Sequence, residues 1–344
     1  MQVLQGLKRP LASLVAIQNA SWLVQGQRAL QSSFHTGGLT LALQPLLARA
    51  QAASSTNEAA VLAASSERAQ STTDSPAETS GRVAEEGARQ LPWRLHAGGV
   101  LMPLPEKAYR GGEDAYFISP CGRFMGVADG VGSWIDAGVD AGIYARTLMN
   151  HAKMKAEELE PNRHATYEIM EHAQRSTVLQ GSSTACILAL EGRMLHATNL
   201  GDSGFAIIRG NAVLYRSPQQ QKGFNFPYQL AAGNKGDPVS DSESVTVGLL
   251  KNDIVVLGTD GLWDNLFAQE IAQVARTLQL RGHPPQTTAA GLAEIARKTS
   301  LSKGKLTPFG KAAYEARRYS LVGGKPDDIT VVVAYVRDSE QSKL

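Results

Sequence analysis

The run Thr184-Ala185-Cys186-Ile187-Leu188-Ala189-Leu190-Glu191-Gly192-Arg193-Met194-Leu195-His196-Ala197-Thr198-Asn199 decides the fold. Two apolar stretches of strand length meet at the turn residues Glu191-Gly192. The same grammar continues with Gly201-Asp202, then Phe205 to Ile208, then Gly210-Asn211, then Ala212 to Tyr215. Connections this short cannot hold the crossover that parallel strands require, so the four stretches, Thr184–Leu190 onward, predict an antiparallel meander.

Tyr116-Phe117-Ile118 and Phe124-Met125-Gly126-Val127 flank Ser119-Pro120-Cys121-Gly122 and read as a hairpin. Asp253 to Gly258 and Ile329 to Val336 are almost wholly apolar and predict two buried strands. Helices are expected in pairs. Ala141 to Glu158 and Ala165 to Val178 are joined by Pro161-Asn162-Arg163. Ile271, Val274 and Leu278 mark one later helical face, and Leu292, Ile295 and Ala296 another. Antiparallel strands with segregated helix pairs give an α+β class, with helices layered over sheets to cover the apolar faces.

The chain has 344 residues, with 34 Lys and Arg against 32 Asp and Glu, a formal net charge of +2. A near-neutral balance argues against a broad nucleic-acid surface, which needs a basic patch. No stretch reaches the roughly 18 uninterrupted apolar residues of a membrane helix, so no membrane insertion is expected. Cys121 and Cys186 are the two cysteines. They lie far apart with no CxxC spacing, so buried reduced thiols are expected rather than a disulfide or a thiolate metal site.

Charge is uneven along the chain. No Asp or Glu precedes Glu58, while Lys8, Arg9, Arg28 and Arg49 do occur. An acid-free, Arg-containing, Ser-rich amphipathic start reads as an organelle transit peptide over residues 1–49, with a disordered arm as the plain alternative. Early alternation of basic and bulky apolar residues favours the mitochondrial matrix, with the chloroplast as alternative. Residues 50–92 hold almost no large hydrophobes and predict a disordered linker. The folded domain is expected over 93–337, followed by a short tail, 338–344.

The chemical signal lies in five short segments: Arg110-Gly111-Gly112-Glu113-Asp114, Val127-Ala128-Asp129-Gly130-Val131-Gly132, Asn199-Leu200-Gly201-Asp202-Ser203, Leu257-Gly258-Thr259-Asp260-Gly261-Leu262-Trp263-Asp264-Asn265, and Lys325-Pro326-Asp327-Asp328-Ile329-Thr330. Each puts an Asp at the end of an apolar strand. In two of them Gly follows directly, which allows a sharp turn and leaves a carbonyl open to an ion. Asp-Gly at a strand end is also a common turn. Five acidic strand ends in one domain, however, would repel one another unless cations neutralise them. Oxygen-only ligands suit Mg²⁺ or Mn²⁺, and no His or Cys cluster competes for zinc.

The segment from Arg110 to Val336 resembles the metal-dependent protein phosphatases of type 2C. The Glu-Asp pair, Val-Ala-Asp-Gly-Val, Gly-Ser-Ser-Thr-Ala, Asn-Leu-Gly-Asp-Ser, Gly-Thr-Asp-Gly-Leu-Trp-Asp and Asp-Asp-Ile-Thr-Val occur in that family's order. Phe224-Asn225-Phe226-Pro227-Tyr228-Gln229-Leu230 is similar to the organelle-targeted branch. The resemblance implies a β-sandwich of two antiparallel sheets flanked by helix pairs, in four layers αββα. It implies a serine/threonine protein phosphatase that acts as a monomer on phosphoprotein substrates, with two Mg²⁺ or Mn²⁺ ions and a third, weaker one.

Carried over residue by residue, Asp129 bridges the two ions and the Gly130 carbonyl ligates one. Asp260 and Asp327 ligate the other, and Asp328 stands where the family usually has Asn, as ligand or water-holder. Glu113 and Asp114 act through water on the ions, Asp202 belongs to the third ion, and Arg110 contacts the substrate phosphate. Gly181, Ser182, Ser183 and Thr184 match a structural motif. One position departs: many members carry His directly after the bridging Asp-Gly, and here it is Val131. Two rivals stay open, a binding scaffold without activity and a small-molecule phosphatase on the same fold. The presence of Asp129, Asp260 and Asp327 speaks against the first.

Overall fold

Strand alternation and helical periodicity place the buried apolar residues on three surfaces. The computed structural model describes residues 93–162, 164–316 and 322–338. The transit peptide expected over 1–49, the linker expected over 50–92 and residues 339–344 of the tail lie outside them. The last strand reaches Asp338, one residue beyond the expected end of the domain.

Two five-stranded antiparallel sheets form the centre. One has the order β1 (Trp93–Met102), β14 (Ile329–Asp338), β13 (Ile254–Gly258), β7 (Gly204–Arg209), β8 (Ala212–Arg216). The other has the order β12 (Glu243–Gly248), β6 (Met194–Leu200), β5 (Ala185–Glu191), β3 (Phe124–Asp129), β2 (Asp114–Ile118). Four short strands, β4 (Ser182–Ser183), β9 (Gln221–Gly223), β10 (Phe226–Pro227) and β11 (Leu230–Ala231), pair as β4 with β11 and β9 with β10.

The period of two in each central strand serves two cores at once. In β5, Ala185, Ile187 and Ala189 face helices, whereas Cys186, Leu188 and Leu190 face the other sheet. In β13, Ile254 and Val256 face helices and Val255 and Leu257 the opposite sheet. That is why β13 and β14 read as unbroken apolar runs.

Helices α1 (Ala141–Glu158) and α2 (Ala165–Ser176) cover the second sheet through Tyr144, Leu148, Ile169 and Met170. Asp140 caps α1 by accepting from the Gly142 N–H at 2.9 Å. A single turn, α3 (Asp260–Trp263), follows β13. Helices α4 (Ala268–Leu280) and α5 (Pro285–Ser300) cover the first sheet through Ile271, Ala275, Leu292 and Ala296. The four-layer αββα sandwich expected from the resemblance is the observed fold.

Several elements escaped the sequence pattern, among them the four short strands β4, β9, β10 and β11 and the single turn α3. β1 is interrupted by Gly98-Gly99, β12 is a half-exposed edge strand, and α6 (Pro308–Glu315) is short. The expected single meander is also corrected. β5 and β6 pair in one sheet and β7 and β8 in the other, so Gly201-Asp202-Ser203 crosses between sheets rather than closing a hairpin. Cys186 is buried as expected, but Cys121 is only partly so.

The inter-sheet core should dominate stability. Leu257 is fully buried there, so Leu257→Ala should cost about 2–5 kcal/mol in chemical denaturation. Leu250→Ala, at a side chain 49% exposed, should cost less than about 0.5 kcal/mol.

Candidate active site

The strand directions bring every acidic motif to one end of the sandwich. Asp114 opens β2 directly opposite Asp129, the last residue of β3. Asp202 follows β6, Asp260 follows β13, and Asp327-Asp328 precede β14, whose Val331 pairs with Gly258. Asp129, Asp202, Asp260, Asp327 and Glu113 line one cleft of about 380 Å³, together with Lys107 and Lys325.

Hydrogen bonds fix the backbone beneath these side chains. The Asp129 N–H donates to Thr184 Oγ1 at 3.2 Å, and the Thr184 N–H donates to the Asp129 carbonyl at 2.9 Å. The Gly130 N–H donates to the Glu113 carbonyl at 3.0 Å. The Gly-Ser-Ser-Thr motif therefore holds the Asp129 strand end. Ser182 adds to it by accepting from Trp134 Nε1 and the Val131 N–H.

The glycines after the aspartates serve a different purpose from the expected sharp turn. Neither is among the glycines with positive φ. Instead a Cβ on Gly130 would stand 2.7 Å from the carbonyl oxygens of Ala141 and Glu113, and one on Gly261 1.9 Å from that of Asp328. Backbones from separate elements meet there. Positive φ is used at Gly111 (84°) and Gly112 (78°), which swing the chain from the turn Pro105–Arg110 into Glu113.

Three expected residues, Arg110, Asp328 and Asp114, are not among those lining the cleft. Arg110 Nη2 donates to Glu113 Oε1 at 2.8 Å. Both oxygens of Asp328 accept backbone N–H groups at 2.6 Å, Oδ1 from Leu104 and Oδ2 from Glu113. Asp114 is buried, and its Oδ2 accepts from Thr259 Oγ1 at 2.8 Å.

Two lysines that the motif reading passed over stand among the carboxylates. Lys107 Nζ lies 2.5 Å from Glu113 Oε2 and 3.2 Å from Asp327 Oδ1. Lys325 Nζ contacts Asp260 and lies 3.0 Å from Asp264 Oδ2. Lys325 stands two residues before the Asp327-Asp328 pair, and that spacing was the available signal. Lys107 had none.

Burial and crowding decide the protonation pattern. Burial, then the fields of Asp114, Asp260, Asp327 and Asp202, push the Asp129 carboxyl well up. Burial and the Asp328 charge do the same to Asp114. Burial also works against the Asp260 charge, but the Lys325 ammonium outweighs it and holds that carboxyl below the ordinary range. Among the described residues, no three of these side chains stand close enough for one ion to touch all three. The donor set nevertheless fits a hard cation: it is all oxygen, its members raise one another, and Asp114 Oδ1 and Asp260 Oδ1 are buried without a hydrogen-bond partner.

Known proteins show the same arrangement of fold. A probable protein phosphatase 2C, number 80 of Arabidopsis thaliana, is 44% identical over 252 residues, 72% of this chain and 59% of the relative. The solved photosystem II phosphatase PBCP is 34% identical, with 71% of this chain and 99% of that one covered and a TM-score of 0.64. The chain belongs to the protein phosphatase 2C family. It spans about half the length of the first plant relatives it matches. No family model matches it. The catalytic domain of the serine/threonine phosphatase PstP, solved with two manganese ions, shares the fold at 18% identity and a TM-score of 0.52, covering 72% of this chain and all of that one.

In this protein phosphatase 2C the crowding has a pH signature. Burial, then Asp260 and Asp264, push the Asp202 carboxyl from 3.8 up to about 7. A raised folded-state value favours the protonated form. The stability it contributes is present below about pH 4 and is lost as pH rises through about 7. The ionised form then disfavours folding by roughly 4 kcal/mol, at about 1.4 kcal/mol per unit. Asp202→Asn carries no charge at any pH. Without divalent ions, its melting point should therefore gain on the wild type by on the order of 10 °C between pH 4 and pH 8. An offset independent of pH would sink the assignment.

Proposed function

We propose that this chain hydrolyses phosphoserine and phosphothreonine in protein substrates, as a monomer, with divalent cations held by the acidic cleft. The observation that carries the reading is the convergence of half-buried Asp129 and Asp327 and buried Asp260 from two sheets into one cleft, where crowded carboxylates call for positive charge. Asp129, with the Gly130 carbonyl, would hold one Mg²⁺ or Mn²⁺ and share a second with Asp260 and Asp327. Glu113 and Asp114 would act on these two ions through water, and Asp202 lines the same cleft. When bound, the ions supply positive charge that acidifies an attacking water and offsets charge on the phosphoryl oxygens.

The chain's own residues supply position and access. Thr184 and Ser182 fix the strand end that carries Asp129. Arg110 acts through Glu113, which it orients, and Asp328 ties the Leu104 and Glu113 backbone together. In the resemblance both were placed at the ions or the phosphate; here both are positioning residues. Val131 lines the cleft where many family members have His and carries no proton. The proton for the leaving alcohol then has to come from another group or from water. No cysteine lines the cleft, so hydrolysis is direct rather than through a thiol.

Phosphopeptide hydrolysis should require Mn²⁺ or Mg²⁺ and vanish with chelator. Asp129→Asn should lower kcat by at least about 10²-fold, as when a key electrostatic stabiliser is removed, while circular dichroism stays native. Full activity in a demetallated preparation would overturn the reading. A panel of phosphopeptides against metabolite phosphates decides between protein and small-molecule substrates.

Location is proposed from residues 1–92. Their composition supports import into the mitochondrial matrix, and the likeness to a photosystem II phosphatase favours the chloroplast as the second reading. A fluorescent protein carrying residues 1–92 should enter one of these organelles; cytosolic fluorescence would count against both.

A further inference from the structure

Lys325 stands where a cation belongs. Its ammonium contacts Asp260 Oδ2 and lies 3.0 Å from Asp264 Oδ2 and 3.6 Å from Asp327 Oδ2. Asp260 and Asp264 are 6% and 7% exposed, so the ammonium is their counter-charge in place of water. Asp202, across the same pocket, also feels its field. Asp260 divides its two oxygens. Oδ2 faces the lysine, while Oδ1 is buried without a hydrogen-bond partner and remains open to a second cation.

The lysine is built in place. Asn265 brackets its backbone, accepting from the Lys325 N–H at 3.0 Å and donating to the Lys325 carbonyl at 2.9 Å. Pro326 fixes its own φ and biases Lys325, the residue before it, toward extended backbone. The Phe309 ring lies 5.7 Å from the ammonium and borders it with an apolar face. Lys107 differs, being more exposed and directed at Glu113 and Asp327.

We propose that Lys325 is a tethered substitute for a third divalent ion: its ammonium holds the seat bounded by Asp202, Asp260 and Asp264, so the chain takes two ions rather than three. This rests on the two-ion reading above. A divalent ion entering the same seat would meet a positive charge sharing its ligands in a pocket with little water, where like charges repel strongly. Because the ammonium is part of the chain, the seat stays neutralised at any metal concentration. An exchangeable third ion would leave it empty when metal is scarce.

The test is the number of Mn²⁺ ions bound per full-length chain at saturation, counted by equilibrium dialysis and titration calorimetry. Wild type should bind two, Lys325→Arg two, and Lys325→Met three. The metal-free melting point of Lys325→Met should fall below that of wild type, and Mn²⁺ should raise it by more. Should Lys325→Met fold only with Mn²⁺ present, the count is made on protein refolded in Mn²⁺. Asp264→Asn gives an independent reading. It removes one wall of the seat and should leave the count at two, because the ion it would have held is not there to lose. Three ions on wild type, or two on Lys325→Met, overturn the proposal while leaving the two-ion reading intact. No ion on any of the proteins overturns both.

Discussion

Carboxylates from both sheets of this sandwich are forced into one cleft, and their mutual repulsion is the constraint around which the remaining structure is arranged. Asp129 and Asp114 are directly opposite in the ladder, so neither can move away without breaking the pairing of β2 with β3. Burial strengthens every interaction between them, because little water is present to screen it. Burial and mutual repulsion push some of these carboxyls up, and ammonium ions stand beside others. Lys107 and Lys325 bring positive charge from a loop and from the approach to β14, and Asp260 stays ionised beside Lys325.

The backbone beneath the cleft shows how such a site can remain rigid while its side chains stay open. Thr184, Thr259 and Asn265 use their polar groups on backbone atoms or neighbouring side chains. Arg297 on α5 donates to the carbonyls of Met102, Pro103 and Asp327, which pins the loop after β1 to the start of β14. Gly130 and Gly261 let backbones approach to distances that any side chain would prevent. Positioning is therefore carried by residues around the carboxylates, and the carboxylates keep unsatisfied oxygens for a ligand. Preorganisation of this kind stores unfavourable energy in the free protein that binding can release.

Two hydrophobic interfaces with helices and one between the sheets supply the stability that tolerates this strain. Each central strand contributes to two of them through alternate residues. A rigid scaffold under a charged cleft also explains why the polar anchors can be single hydroxyl groups: the strand ends scarcely need holding, only aiming.

Local pattern was enough to identify most strands and helices, because side-chain alternation and helical spacing are properties of consecutive residues. It located α1 to the residue, and it found the five acidic strand ends because each lies beside an apolar run. It missed β12, whose exposed edge carries polar residues, and β1, whose glycines break the alternation. Other features were decided only through space. The hairpins β5–β6 and β7–β8 went to different sheets because their apolar faces bury against different partners. Asp328 and Arg110 carry charges that read as ligands, yet backbone N–H groups and Glu113 reach them first. Lys107 is more than 200 residues from Asp327 in the chain and 3.2 Å from it in the fold. Electrostatic neutralisation depends on that second distance, which no local spacing records.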